Sequence, residues 1–301
     1  MTQHLPPMLE VADLVIEFDT SAGRRRVVDG VSFSVQQGEV LGILGESGSG
    51  KTLSTLAVLG LVPGRPGVIS GRIDLTLDDS RESLLADLPS VVSTPSRGPV
   101  RKDDRRWNRL VQRRWRPLWG RVMTAVFQNP RQSLDPLMTI GAQLDESVRL
   151  ASPGQSRAEV RGRSLDWLAR VKLHDPARVY ASYAHELSGG MCQRAMIAIA
   201  LARQPRLLIA DEPTTGLDTT VRQEIVELFQ ELLAAERRAM MYISHDIREV
   251  LFLAREIIVM RHGRIVEVVS AEDLKNGQGR RHPYTATLLA AADLPVGEVA
   301  S

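Results

Sequence analysis

Residues 9 to 44 alternate apolar and polar positions and then close on Val40–Gly45 (VLGILG), a continuous apolar run ended by glycine. Alternation predicts strands with one wet face, and the continuous run predicts a strand buried on both faces. Helical spacing follows at once over Thr52–Leu61. Two more buried strands are predicted at Arg206–Glu212 (RLLIADE) and Ala239–Asp246 (AMMYISHD), each finishing in acidic residues or histidine. Buried strands that end in polar groups suggest an α/β sheet with a site at its carboxyl edge. Val221, Ile225, Leu228, Phe229 and Leu232 recur at helical spacing across Thr219–Ala235. Arg255–Val268 predicts a hairpin turning at His262-Gly263. The stretch 141 to 190 carries helical patterns without strand signals, and no repeat of solenoid length is present.

Two stretches break the pattern. Asp78 to Asp104 mixes Ser, Pro, Asp and Arg with little periodicity, which predicts a surface loop. The tail after Val268 contains Asn276, Gly277 and Gly279 and predicts a loosely attached end.

Composition adds limits. At 43% hydrophobic and 25% charged residues, the 301-residue chain is that of a globular protein, which excludes intrinsic disorder and a collagen-like chain. No apolar run reaches the roughly 18 residues of a membrane helix. The opening MTQHLPPMLEVADLVIEF lacks a basic region followed by an apolar one, and Cys192 alone allows no internal disulfide, so a cytosolic location is the default expectation. The net charge of +2 argues against a protein that coats nucleic acid. That balance is uneven, because Arg97 to Arg121 holds ten basic residues against Asp103 and Asp104. Trp107, Leu110, Val111, Arg114 and Trp115 there fit one face of a short helix that Pro117 would end. Such a helix can meet anionic lipid or RNA, but the expectation is tryptophan packed beneath and arginine solvated.

The chemistry begins at GESGSGKT, which fits G-x-x-x-x-G-K-[ST] between a predicted strand and a predicted helix. Gly45, Glu46, Ser47, Gly48, Ser49 and Gly50 would turn backbone N–H groups inward, and the following helix adds its dipole, so the segment makes a phosphate cradle. Lys51 would reach the β- and γ-phosphates, and the Thr52 hydroxyl would ligate Mg²⁺. Hydrolysis then needs a carboxylate for the metal and a group to handle water. Asp211 and Glu212, at the end of a predicted strand, would supply these in that order.

LSGGM (Leu187 to Met191) resembles the signature motif of ATP-binding cassette (ABC) proteins, and other motifs follow that family's order. Gln128 in VFQNP resembles the Q-loop glutamine, Asp211 and Glu212 the Walker B pair, Gly216-Leu217-Asp218 the D-loop, and His245 in YISHD the switch histidine. The resemblance covers about residues 9 to 269. It implies an α/β fold: a P-loop ABC nucleotide-binding domain with a RecA-like mixed sheet core, an antiparallel β subdomain and a helical subdomain at about 139–190. An irregular basic insertion is expected at about 78–121 and a separate tail at 270–301.

It also implies that ATP and Mg²⁺ bind, with Thr52, Gln128 and Asp211 at the metal and Glu212, His245 and Gln128 acting in hydrolysis. Ser188, Gly189 and Gly190 precede a predicted helix and so form a second phosphate-binding end. One chain does not readily fold both ends onto one phosphate. In this family two cassettes pair head to tail, so Ser188 and Asp218 are expected at a partner's nucleotide. Phe18 is a candidate for stacking on adenine and equally a candidate core aromatic.

NPRQSLDPLMTIGAQL (Asn129 to Leu144) and RHPYTATLLAA (Arg281 to Ala291) resemble segments of the oligopeptide, dipeptide and nickel import branch. Many members carry a cysteine cluster for an iron–sulfur centre; the tail here has no cysteine, so no cluster is expected. The branch implies an ATPase at the cytoplasmic face of the inner membrane, held by two transmembrane permeases and a second cassette, identical or homologous. An external solute-binding protein acts with them, and no nucleic acid is expected. The alternatives are a soluble cassette ATPase acting on nucleic acid or the ribosome, and an export cassette. No long coiled coil or second cassette supports the former, and the HPYT segment disfavours the latter.

Overall fold

The computed structural model describes residues 6–21, 23–78, 80–94, 100–236 and 238–299. The chain forms two compact units, Met1–Leu118 with Ala239–Ser301, and Trp119–Arg238.

The first unit opens with β1 (Leu9–Thr20), β2 (Gly23–Val35), β3 (Val40–Leu44), α1 (Lys51–Val58), β4 (Pro66–Leu77) and β5 (Ser80–Ser83). An antiparallel sheet runs in the order β2-β1-β4-β5. In β1 the buried apolar positions are Leu9 and Val11, then Leu14 and Ile16. The change of parity comes from a bulge: the register shifts between Val11 and Leu14 against β2 and between Ala12 and Val15 against β4, around Asp13 at φ 49°. One extra residue keeps all four side chains on the core face.

Next come α2 (Leu88–Val91), β6 (Val92–Ser93), β7 (Arg101–Lys102) and α3 (Asp104–Arg114). The expected irregular surface loop at 78–104 is therefore corrected. β5 pairs with β4, β6 pairs with β7, and Leu84, Leu85, Leu88, Val91 and Val92 are buried. Elements of two to four residues are too short to show a period, so their apolar pairs escaped the sequence pattern. Arg97 of the basic run, with Asp79 and residues 95–99 of the insertion, lies outside the described residues.

The Asp103 side chain caps α3 by accepting from Arg106 N–H. Trp107, Leu110, Val111 and Trp115 are buried while Arg105, Arg106, Arg109 and Arg113 are exposed, the packed-tryptophan arrangement expected from spacing. Trp115 Nε1 donates to the Val58 carbonyl at 2.8 Å, fastening this helix to the end of α1. Arg114 points inward instead, donating to Ser83 O and pairing with Asp87 at 2.7 Å.

The second unit contains β8 (Met123–Val126), α4 (Pro130–Ser133), α5 (Ile140–Ala151), α6 (Arg157–Arg170), α7 (Pro176–Ala181), α8 (Gly189–Ala202), β9 (Leu207–Asp211) and α9 (Thr219–Glu236). β8 and β9 are parallel. Asp145 of α5 accepts from Ser164 Oγ of α6 at 2.7 Å and Tyr180 Oη of α7 at 2.9 Å, so one buried carboxylate ties three helices. Ala195, Ala198 and Ala202 let buried α8 approach its neighbours closely.

The chain then returns to the first unit with β10 (Ala239–Ser244), α10 (Ile247–Leu253), β11 (Glu256–Arg261), β12 (Arg264–Ser270), α11 (Ala271–Lys275), β13 (Arg280–Arg281), α12 (Pro283–Ala291) and β14 (Glu298–Val299). β3 runs between β10 and β11, parallel to both, and β12 is antiparallel to β11, making a mixed sheet. The β11–β12 hairpin turns at His262 and Gly263, both with positive φ, as a two-residue turn of this hand requires. The expected loose tail is also corrected. Arg281, Tyr284, Thr285 and Leu289 are all at most 5% exposed, and Glu267 of β12 binds both Arg281 and His282.

A Cβ on Gly42 of β3 would overlap Val250 Cγ1 and stand 2.9 Å from Ala254 Cβ, both on the α10 side. Gly42→Ala is expected to destabilise the protein by about 1–3 kcal/mol through overpacking; an unchanged denaturant midpoint would contradict this account. Lys102 lies 3.9 Å over the Trp107 ring, and burial pushes its ammonium down to about 8 despite Asp104 nearby. Between that value and the ordinary 10.5 the unfolded chain binds more protons, so this lysine makes stability rise with pH. Urea midpoints at about pH 7 and about pH 10 should therefore rise more in the wild type than in Lys102→Met.

Candidate nucleotide-binding site

β3 is buried from Leu41 to Leu44 and delivers the chain to Gly45 at the sheet's carboxyl edge. Gly48 and Gly50 take φ values of 81° and 102°, which only glycine adopts without strain, and Gly50 caps α1 through its backbone alone. No acidic residue stands in the first turn of α1, so no side-chain charge there opposes the positive end of its dipole. Lys51 is 4% exposed, and its Nζ donates to the carbonyls of Gly45 (2.7 Å) and Glu46 (3.0 Å). Ser49 Oγ is buried and has no hydrogen-bond partner among the described residues. An unpartnered buried hydroxyl beside a buried ammonium fits a phosphate group. Thr52 is exposed in the first turn, where its hydroxyl is a hard oxygen donor suited to Mg²⁺.

Phe18 is half-buried near the end of β1, its ring 3.1 Å from where a Cβ of Gly64 would stand. His245 is exposed directly after β10. What places it is a buried carboxylate: Glu249 of α10 accepts from Tyr242 Oη and Ser244 Oγ, each at 2.9 Å, while Asp246 caps the helix. These residues all belong to the first unit.

The second unit carries the remaining candidates. Gln128 is exposed two residues beyond β8. Asp211 ends β9 at 5% exposure, and Glu212 follows with φ 47°, a left-handed conformation disfavoured for a side chain of this length. Thr215 Oγ1 donates to the Glu212 carboxylate at 3.1 Å. Such local strain concentrates at functional sites. Ser188 caps α8, its Oγ accepting from Met191 N–H at 3.3 Å. Gly189 and Gly190 form the first turn, and a Cβ on Gly190 would stand 2.8 Å from Val221 Cγ1. Asp218 caps α9 by accepting from Val221 N–H at 3.0 Å.

Sequence reasoning missed several supports. Arg131 donates to the Leu187 carbonyl at 2.8 Å, holding the chain just before Ser188. Buried Arg194 of α8 bonds the Val171 carbonyl and Glu224 of α9. Tyr284 meets the phosphate loop itself, its Oη accepting from Glu46 N–H at 2.9 Å. The HPYT resemblance marked that tyrosine without giving it a task. Cys192 Sγ lies 3.2 Å from the Ala184 carbonyl, and burial raises its pKa, consistent with a packed helix residue without redox chemistry.

The sequence profile described as "ABC transporter" matches residues 28–215. The chain is 39% identical over 286 residues to "Dipeptide transport ATP-binding protein DppD" of Escherichia coli (strain K12), covering 94% of this chain and 78% of that one. It is 38% identical to "Peptidoglycan transport ATP-binding protein YejF" of Agrobacterium fabrum (strain C58 / ATCC 33970), covering 97% of this chain and 48% of that longer one. Among solved structures it is similar in fold to MJ0796, described as a bacterial ABC transporter cassette, with TM-score 0.68 and 23% identity, covering 88% of this chain and 99% of the other. With the phosphate loop, the capped signature helix and these relatives in agreement, the chain belongs to the ABC transporter family.

Proposed function

We propose that this chain is the ATP-binding and ATP-hydrolysing subunit of an importer for peptides or similar small solutes, nickel chelates included. The observation that carries the reading is the phosphate loop, where glycines of positive φ, buried Lys51 and the unpartnered Ser49 hydroxyl meet at the start of α1. A dipeptide-transport relative supports a transport role over a nucleic-acid or ribosome role, and a relative named as a "Putative peptide import ATP-binding protein" supports import over export.

Lys51 and the α1 amides would hold the β- and γ-phosphates, and Phe18 would lie against adenine. Thr52, Gln128 and Asp211 offer the oxygen donors for Mg²⁺, which neutralises phosphate charge when bound. Glu212 would orient or deprotonate the attacking water, and His245 would contact the γ-phosphate. Ser188, Gly189, Gly190 and Asp218 would close on nucleotide held by a second cassette, identical or homologous. Among the described residues no helix is long and apolar enough to cross a membrane. In the proposed assembly the subunit is peripheral, held at the cytoplasmic face of the inner membrane by two permeases that receive solute from an external binding protein. In this reading residues 9–269 form the cassette, about 139–190 its helical subdomain, and 270–301 the tail.

Glu212→Gln should retain ATP binding while slowing phosphate release by about 10²-fold or more, and Lys51→Ala should lose binding itself. Wild-type hydrolysis in the glutamine variant would remove Glu212 from its role. Detergent pull-down is expected to recover two multispanning proteins and a second cassette; recovery of nucleic acid or ribosomes alone would overturn the importer reading.

A further inference from the structure

Three contacts brace the phosphate loop from outside, and one comes from the C-terminal tail. Gly263 N–H donates to the Ser49 carbonyl at 2.9 Å, and Gly45 lies against the Met260 carbonyl so closely that no Cβ fits. The third is the Glu46 N–H, which donates to Tyr284 Oη at 2.9 Å across 238 residues of sequence. Glu46 is the second residue of the loop, and its amide is committed to the tail.

The brace is built to stay in place. Tyr284 is 5% exposed, and the Arg261 guanidinium lies 4.8 Å over its ring. Just before it, Glu267 of β12 accepts from His282 N–H at 3.0 Å and pairs with Arg281, itself 3% exposed. Burial raises the pKa of the phenol, so its hydroxyl stays neutral at physiological pH. A loop with glycines at positions 45, 48 and 50 has many alternatives when unbraced. Binding then requires ordering, and a contact that pre-orders the loop strengthens affinity without touching the ligand.

We propose that Tyr284 is a positioning residue for nucleotide binding, by which the C-terminal tail holds the first turn of the phosphate loop and sets affinity for the β- and γ-phosphates. This rests on the nucleotide-binding reading above. It concerns binding and not the chemical step, so its loss raises KM for ATP and leaves kcat unchanged.

The test is Tyr284→Phe in the full chain, which removes one hydroxyl and keeps the ring under Arg261. Affinities for ATP, ADP and AMP are measured by competition alongside melting temperature. ATP and ADP are expected to bind about 2- to 10-fold more weakly, the range for one lost hydrogen bond, with KM for ATP rising by the same factor. AMP, which has no β-phosphate, should bind as it does to the wild type. Leu289→Ala loosens the same helix from its buried side and keeps the hydroxyl; it should lower melting temperature with little change in ATP affinity. Wild-type ATP affinity in Tyr284→Phe overturns the proposal. An equal loss for AMP, or affinity that merely follows melting temperature across both variants, overturns it too. A wild-type chain that binds no ATP overturns the nucleotide reading itself, an outcome distinct from a variant that binds as the wild type does.

Discussion

Strand β3 has no face in water. Leu41, Ile43 and Leu44 are at most 3% exposed, β10 and β11 pair with it on either edge, and Gly42 admits α10 to close contact. A strand paired on both edges and packed by α10 on one face leaves little freedom in where Gly45 emerges or in the direction from which α1 departs. That matters because the phosphate loop gains little from its own packing. Its stability is borrowed from the strand before it and from braces at Gly263 and Tyr284. Apolar burial thus fixes a polar turn that on its own sequence would take many shapes.

The same division recurs where the other functional groups emerge. β10 is buried to its last residue, and Glu249 accepts two hydroxyl hydrogen bonds from that strand's end before His245 appears. β9 is buried to Asp211, after which the chain turns through Glu212 at φ 47°. In each case an apolar strand supplies position and a short polar clamp supplies direction. The left-handed backbone at Glu212 is of the kind that costs about 1–3 kcal/mol, which the buried strand before it and the Thr215 contact offset locally.

Long periodic elements were legible in the sequence. The buried strands around Ile43, Ile209 and Tyr242, the helix carrying Phe229 and the hairpin at Gly263 all lie where spacing places them. Short elements were not: β5 and α2 have four residues each, too few for a period, so buried Leu84 and Leu88 looked like loop. The tail misled for another reason. Its glycines suggested looseness, while what holds it is long-range, Glu267 to Arg281 and Glu46 to Tyr284, and no local pattern encodes such pairs. The motif residues were legible as chemistry. The strained φ of Glu212, the unpartnered hydroxyl of Ser49 and the Arg131 contact at Leu187 depend on tertiary context alone.

Ser188 can cap its helix and still serve the ligand role proposed for it. Its Oγ accepts from Met191 N–H and so caps α8, a task that uses an acceptor lone pair. A hydroxyl also has one proton to donate, and capping leaves that proton uncommitted. Alanine here would remove both functions, fraying the first turn and losing the donor, whereas threonine would keep them at the expense of a methyl group on an exposed surface. Glycine at 189 and 190 then keeps the N–H groups of that turn uncovered, and Val221 packs so near Gly190 that a side chain there would force the valine to shift. The signature segment is therefore constrained by a helix that must be capped and, in the proposed role, by a helix terminus left open to an anion.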